Sequence, residues 1–80
     1  MKRFEVVIKS RNRILNVLVS GKNSLAEILE HNEFSYDPDN VNVDGFLVLG
    51  EALRKPLKEL GLPEKIRVSV TAPKKEQEAV

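Results

Sequence analysis

The sequence predicts an α+β roll in which one mixed sheet of four or five strands is covered by one main helix and a short helical turn. Three observations predict it: period-two alternation near both ends of the chain, a capped helical segment between them, and an Asp44-Gly45 hairpin signature in the middle. Eighty residues with 41% hydrophobic and 31% charged side chains suit one small core and leave no room for a second. Cysteine is absent, so apolar burial must hold the fold, and disulfides, thiolate metal cages and a cysteine nucleophile are excluded. No apolar run reaches the roughly 18–20 residues of a membrane span. Met1-Lys2-Arg3 leads straight into alternating residues rather than a signal-peptide core, so the expectation is a cytoplasmic chain with no membrane partner.

Phe4, Val6 and Ile8 alternate with Glu5, Val7 and Lys9, the pattern of a strand with one face committed to a core. Ile14 to Val19 reads as a second strand, and Arg11-Asn12 or Asn12-Arg13 supplies asparagine where a tight loop needs positive φ. If Ser10 faces Arg13, then Ile8 lies opposite Leu15, Val6 opposite Val17 and Phe4 opposite Val19, building one apolar face. Glu5, Val7, Lys9, Ile14, Asn16 and Leu18 form the other face, which is more apolar than solvation alone requires.

After the loop Gly21-Lys22-Asn23, Ser24-Leu25-Ala26-Glu27 matches a capping box and starts a helix that ends near Asn32. Leu25, Ile28 and Leu29 share its inner stripe, and Phe34 or Tyr36 closes the open end of the core. Asp37-Pro38-Asp39-Asn40 is a turn cluster. Val41-Asn42-Val43 and Phe46-Leu47-Val48 flank Asp44-Gly45, whose type I′ geometry sets Val43 against Phe46 and Val41 against Val48. All four are expected in the core, with Asn42 and Leu47 outward. Pro56 to Leu62 reads as a helical turn ended by Gly61, and Ile66, Val68 and Val70 mark a last strand beside the first. Residues 1–72 form the domain on this reading, and residues 73–80 a mobile tail.

This order, over residues 2–72, resembles the ubiquitin-like β-grasp superfamily. The likeness rests on the hairpin leading into Ser24-Leu25-Ala26-Glu27, on Val41-Asn42-Val43-Asp44-Gly45, and on Pro56-Leu57-Lys58-Glu59-Leu60-Gly61-Leu62. The last segment is similar to the leucine-containing turn before the closing strand of ubiquitin, with Leu57 and Leu60 as pins. The spacing from helix to Asp44-Gly45 is similar to that in the sulfur carriers of thiamin and molybdopterin synthesis. Ubiquitin and those carriers work through a C-terminal Gly-Gly, whereas Gly61 is the last glycine here. The resemblance therefore implies the fold without the conjugation or sulfur-transfer chemistry, and a degenerate sulfur carrier is retained only as an alternative.

The formal charge of +1 hides three blocks, with +5 over residues 1–22, −7 over 23–51 and +3 over 52–80. Candidate chemistry is sparse. His31 is the single histidine and lies near a helix end, where a cation suits the dipole, and it has no second histidine or cysteine to share a metal or activate a nucleophile. Asp37, Asp39, Asp44 and Gly45 superficially match a calcium loop, but Pro38 and Val41 occupy positions that need flexibility and an oxygen ligand. The four glycines fall at turns and make no phosphate cradle, and the Glu27, Glu30 and Glu33 carboxylates are solvated. No enzyme activity, metal or cofactor is indicated.

A binding module is the remaining reading, because a roll with one main helix leaves one sheet face open. Val7, Ile14 and Leu18 on that face, rimmed by Lys9 and Arg67 and joined by Arg11 and Arg13 of the basic hairpin, suit a protein partner with an acidic surface or a second copy of the chain. Nucleic acid is the rival partner, through a stripe of Lys2, Arg3, Lys9, Arg11, Arg13 and Lys22. Against it stand the acidic block and the scarcity of aromatic side chains left for stacking on bases.

Overall fold

The computed structural model describes residues 3–73. Beyond Pro73, the expected C-terminal tail lies outside the described residues. Five strands and one α-helix run in the order β1 (Arg3–Lys9), β2 (Ile14–Ser20), α1 (Leu25–His31), β3 (Val41–Val43), β4 (Phe46–Val48) and β5 (Lys65–Ser69), with 3₁₀ turns at Gly50–Arg54 and Leu57–Glu59 before β5. They build one sheet in the order β2-β1-β5-β3-β4. The α+β roll expected from the sequence is the observed architecture.

The first hairpin has the register that its alternation dictates, with Phe4 opposite Val19, Val6 opposite Val17 and Ile8 opposite Leu15. Ser10 N–H donates to the Arg13 carbonyl at 2.9 Å. One local expectation fails. Among described non-glycine residues only Glu33 and Asp44 have positive φ, so Asn12 does not supply a left-handed turn residue. The loop is instead anchored at long range, where the Arg13 guanidinium donates to the Asn32 and Glu33 carbonyls at 3.2 Å each and lies 4.2 Å from the centre of the Phe34 ring.

β5 returns parallel to β1, setting Val6 beside Ile66 and Ile8 beside Val68, so β1 is paired along both edges. Its inner side chains Phe4, Val6 and Ile8 are buried together with Ile66, Val68 and Val70. Leu25, Ala26, Ile28 and Leu29 of α1 cover them. Leu15, Val17 and Val19 pack against this core but stay half-buried, because β2 is an edge strand with a neighbour on one side only among the described residues.

The capping box closes as its spacing requires: Ser24 Oγ accepts from Glu27 N–H at 3.2 Å, and Glu27 Oε1 accepts from Ser24 N–H at 3.3 Å. The segment around Leu57 is tied to the same place, since Leu57 N–H donates to the Asn23 carbonyl at 2.9 Å and Lys58 N–H to that of Gly21 at 3.1 Å. Leu57 is thereby fully buried. Asp37 fixes the loop after the helix, accepting from Asp39 N–H at 2.9 Å while its own N–H donates to the Thr71 carbonyl at 2.9 Å.

Asp44 (φ 51°) and Gly45 (φ 88°) form the left-handed turn expected of Asp-Gly, and Val43 pairs with Phe46 and Val41 with Val48. Phe46, however, is not a core residue. Its exposure is 77%, and Val48 is half-buried. β4 is an edge strand of the described sheet, and the buried side chain that follows it is Leu53 of the 3₁₀ turn Gly50–Arg54.

Replacing Phe4 by Ala is expected to lower unfolding stability by about 3–5 kcal/mol. Phe46→Ala, at an exposed position, should stay within about 0.5 kcal/mol of wild type. Urea titration of both variants measures the contrast, and equal losses would contradict this packing.

Candidate functional site on the uncovered sheet face

With α1 on one side, the opposite face of the sheet has no covering element among the described residues. Strand register arranges its side chains in rows. Ile14, Lys9, Ser69, Asn42 and Leu47 cross the whole sheet, Asn16, Val7 and Arg67 form a second row, and Leu18, Glu5 and Lys65 a third. Ile14 and Leu18 are 72% and 62% exposed, and Val7 is half-buried between them on the neighbouring strand. The apolar surface is thus two exposed side chains joined through Val7, with Asn16 set between them on β2.

The rim is basic because of how its one acid is engaged. Glu5 lies 3.7 Å from Lys65 Nζ and accepts from Asn16 Nδ2 at 3.4 Å. The Lys9 ammonium and the Arg67 guanidinium form no salt bridge among the described residues, so they set the sign of this face. Exposed pairs such as Glu5–Lys65 add little to stability, and their effect here is on the surface charge.

Five of the seven residues expected at the interface, Val7, Lys9, Ile14, Leu18 and Arg67, therefore share one face. Arg11 is exposed at the hairpin tip, at the edge of that face. Arg13 is elsewhere, because parity puts it on the same side as Leu15, Val17 and Val19, where it grips the end of α1. Leu47, 52% exposed at the far end of the long row, had a parity signal in the sequence but was not counted among the candidates.

The basic stripe considered for nucleic acid is interrupted rather than continuous. Arg3 and Lys9 share the open face but stand at opposite ends of β1 with Glu5 between them, Arg11 is at the hairpin tip, Arg13 turns to the helix side and Lys22 is exposed in the loop before α1, while Lys2 is outside the described residues. The helix side is acidic, with Glu27, Glu30 and Glu33 exposed. Glu30 takes Arg54 at 3.9 Å and the Tyr36 hydroxyl at 3.5 Å. Burial, and then the Glu30 charge, push the Tyr36 phenol above its ordinary value, while Arg54 pulls it back in part.

Chemistry beyond binding finds few groups in place. Among the described residues no three His, Asp or Glu side chains gather as metal ligands. Asp37 oxygens serve their own turn, Asp44 Oδ1 accepts from Arg67 N–H at 3.2 Å, and His31 is exposed in the last turn of α1. No helix among the described residues is long and apolar enough to cross a membrane.

Two outcomes test this description. Arg13→Ala should destabilise the fold by about 1 kcal/mol through the lost ring contact and carbonyl bonds, while Arg11→Ala leaves the unfolding midpoint in place. Tyr36 is the single tyrosine, so its titration reads out cleanly. Its folded value is raised, which means the contribution to stability is present below the unfolded value and is lost as pH rises through the folded one. Phenolate absorbance should therefore develop at higher pH in the native protein than in urea, and coincident titrations would contradict the Tyr36 environment.

Comparison with known proteins places this geometry. No family model matches the sequence, and no curated protein matches it. Among solved structures it is similar to the solution NMR structure of the ubiquitin-like domain of an Arabidopsis thaliana protein, with a TM-score of 0.61 and 18% identity over 88% of this chain and 77% of that one. With the sheet order, the capped helix and the turn before β5 already established, that match shows that the chain has the ubiquitin-like β-grasp fold.

Proposed function

We propose that this chain is a non-catalytic ubiquitin-like interaction module that docks an acidic protein surface on its open sheet face. The observation that carries the reading is the pair Ile14 and Leu18, held 72% and 62% exposed on a regular strand, with Val7 between them and Lys9 and Arg67 alongside. An apolar centre with a charged rim is the usual composition of a protein contact, and the unpartnered cations favour an acidic partner. The diversion of Arg13 to the helix side and the position of Glu5 between Arg3 and Lys9 break up the hairpin cations and disfavour a nucleic-acid track, which needs contiguous phosphate contacts. No group that would support the sulfur-carrier alternative is added by the geometry.

The test is affinity capture from host lysate, followed by titration of the captured protein against purified variants. Ile14→Glu with Leu18→Glu, and separately Arg67→Glu, should each weaken binding at least about tenfold, in line with the dominance of central contacts. Capture that survives both sets unchanged would remove the open face from consideration.

A further inference from the structure

The two edges of the sheet are unlike. β4 is three residues long, whereas β2 presents seven residues, Ile-Leu-Asn-Val-Leu-Val-Ser, with no charge, proline or glycine. Edge strands are ordinarily kept from pairing by brevity, by charge, by proline or by a bulge, and β4 is short while β2 has none of these devices. Both faces of β2 also remain partly wet: Ile14 and Leu18 on the open side, and half-buried Leu15, Val17 and Val19 on the helix side.

Hydrogen-bond parity shows which groups the edge offers. Ser10 bonds Arg13 directly, so antiparallel alternation makes Ile8–Leu15 and Val6–Val17 the hydrogen-bonded pairs. Residues 15 and 17 thus point their backbone groups at β1, and Ile14, Asn16 and Leu18 point theirs outward. Among the described residues no strand takes that side.

We propose that this edge pairs with the same edge of a second copy, antiparallel and two-fold symmetric about Asn16. In this register Ile14 faces the partner's Leu18, Asn16 faces the partner's Asn16, and Leu15 faces the partner's Val17. Outward residues then meet only outward residues, as a hydrogen-bonded ladder requires, and six backbone bonds form. Each exposed apolar side chain is covered by another across the axis, the two amides meet at the centre, and no like charges oppose each other. The flanking charges do not oppose the pairing, because Lys9 flanks Ile14 while the partner's Glu5, paired with its own Lys65, flanks the partner's Leu18 in the same row. A shift of one residue would set outward groups against inward ones, and a shift of two would face Asn16 with an apolar side chain.

This pairing shares Ile14 and Leu18 with the open-face reading and leaves Val7, Lys9 and Arg67 uncovered, so Arg67 is the position that tells the two apart. Sedimentation equilibrium of the full chain up to about 1 mM tests it. The expected result is association from 9.0 kDa to twice that mass. Asn16→Lys, which sets like charges against each other on the axis, should weaken dimerisation at least tenfold. Ile14→Lys and Leu18→Glu should each weaken it alone, and the double variant should restore it, because residue 14 meets the partner's residue 18. Arg67→Glu should leave the dimer intact while disabling the open face, which separates the two proposals. A monomer throughout the concentration range, a dimer indifferent to Asn16→Lys, or a double variant no better than the singles would overturn the pairing.

Discussion

The parity of β1 governs the rest of the molecule, because this strand is hydrogen-bonded on both edges and alternates fully between two environments. Phe4, Val6 and Ile8 have at most 1% exposure, whereas Glu5, Val7 and Lys9 lie on the uncovered face. A one-residue slip would exchange those sets, driving two charged groups into the core and three large apolar ones into water. Burying each of the latter is worth roughly 1.5–3 kcal/mol, so the alternative register is strongly disfavoured. Once that choice is made, pairing with β2 settles which side Arg13 and Ile14 take, and pairing with β5 settles Arg67.

A short helix of seven residues could not by itself close such a sheet. The core is completed by a second connection, in which the turn Leu57–Glu59 is hydrogen-bonded to the loop leading into α1 while Leu57 is fully enclosed. The capping box and this clasp act on one place, since Ser24 both caps the helix and bridges to Pro56. Sequence-distant segments are thereby joined where the helix begins, and the cooperative unit includes the long connection between β4 and β5 rather than the hairpin and helix alone.

Features set by adjacent residues were legible from the sequence: the first hairpin register, the Ser24–Glu27 cap and the Asp44-Gly45 turn all follow from local chemistry. What failed depended on position in the finished sheet. Phe46 has the same alternation as Val43, yet it belongs to an edge strand, and nothing local distinguishes the two. Asn12 met a rule of turn chemistry that the loop did not need, because Arg13 holds it through contacts some twenty residues away. The same long reach took Arg13 from the basic rim. Of the open face, parity alone was sufficient to group Val7, Lys9, Ile14 and Leu18, while the neutralisation of Glu5 by Lys65 required the parallel β1–β5 pairing.

That pairing also explains why the charge blocks of the chain become sides of the molecule. The two basic blocks, at opposite ends of the sequence, supply β1 and β5, and parallel adjacency brings Lys9, Lys65 and Arg67 onto one surface. The acidic block forms α1, β3 and β4, and its Glu27, Glu30 and Glu33 are exposed on the helix side, away from that surface. A net charge near zero is thus compatible with a directed field, positive over the open sheet and weakened as salt screens it over a Debye length of about 8 Å at physiological ionic strength. Arg13 and Arg54 temper the acidic side, so the asymmetry is concentrated on the face that carries Ile14 and Leu18. Positive charge and exposed apolar side chains are therefore supplied by the same strands, and both derive from the order in which β2, β1 and β5 sit beside one another.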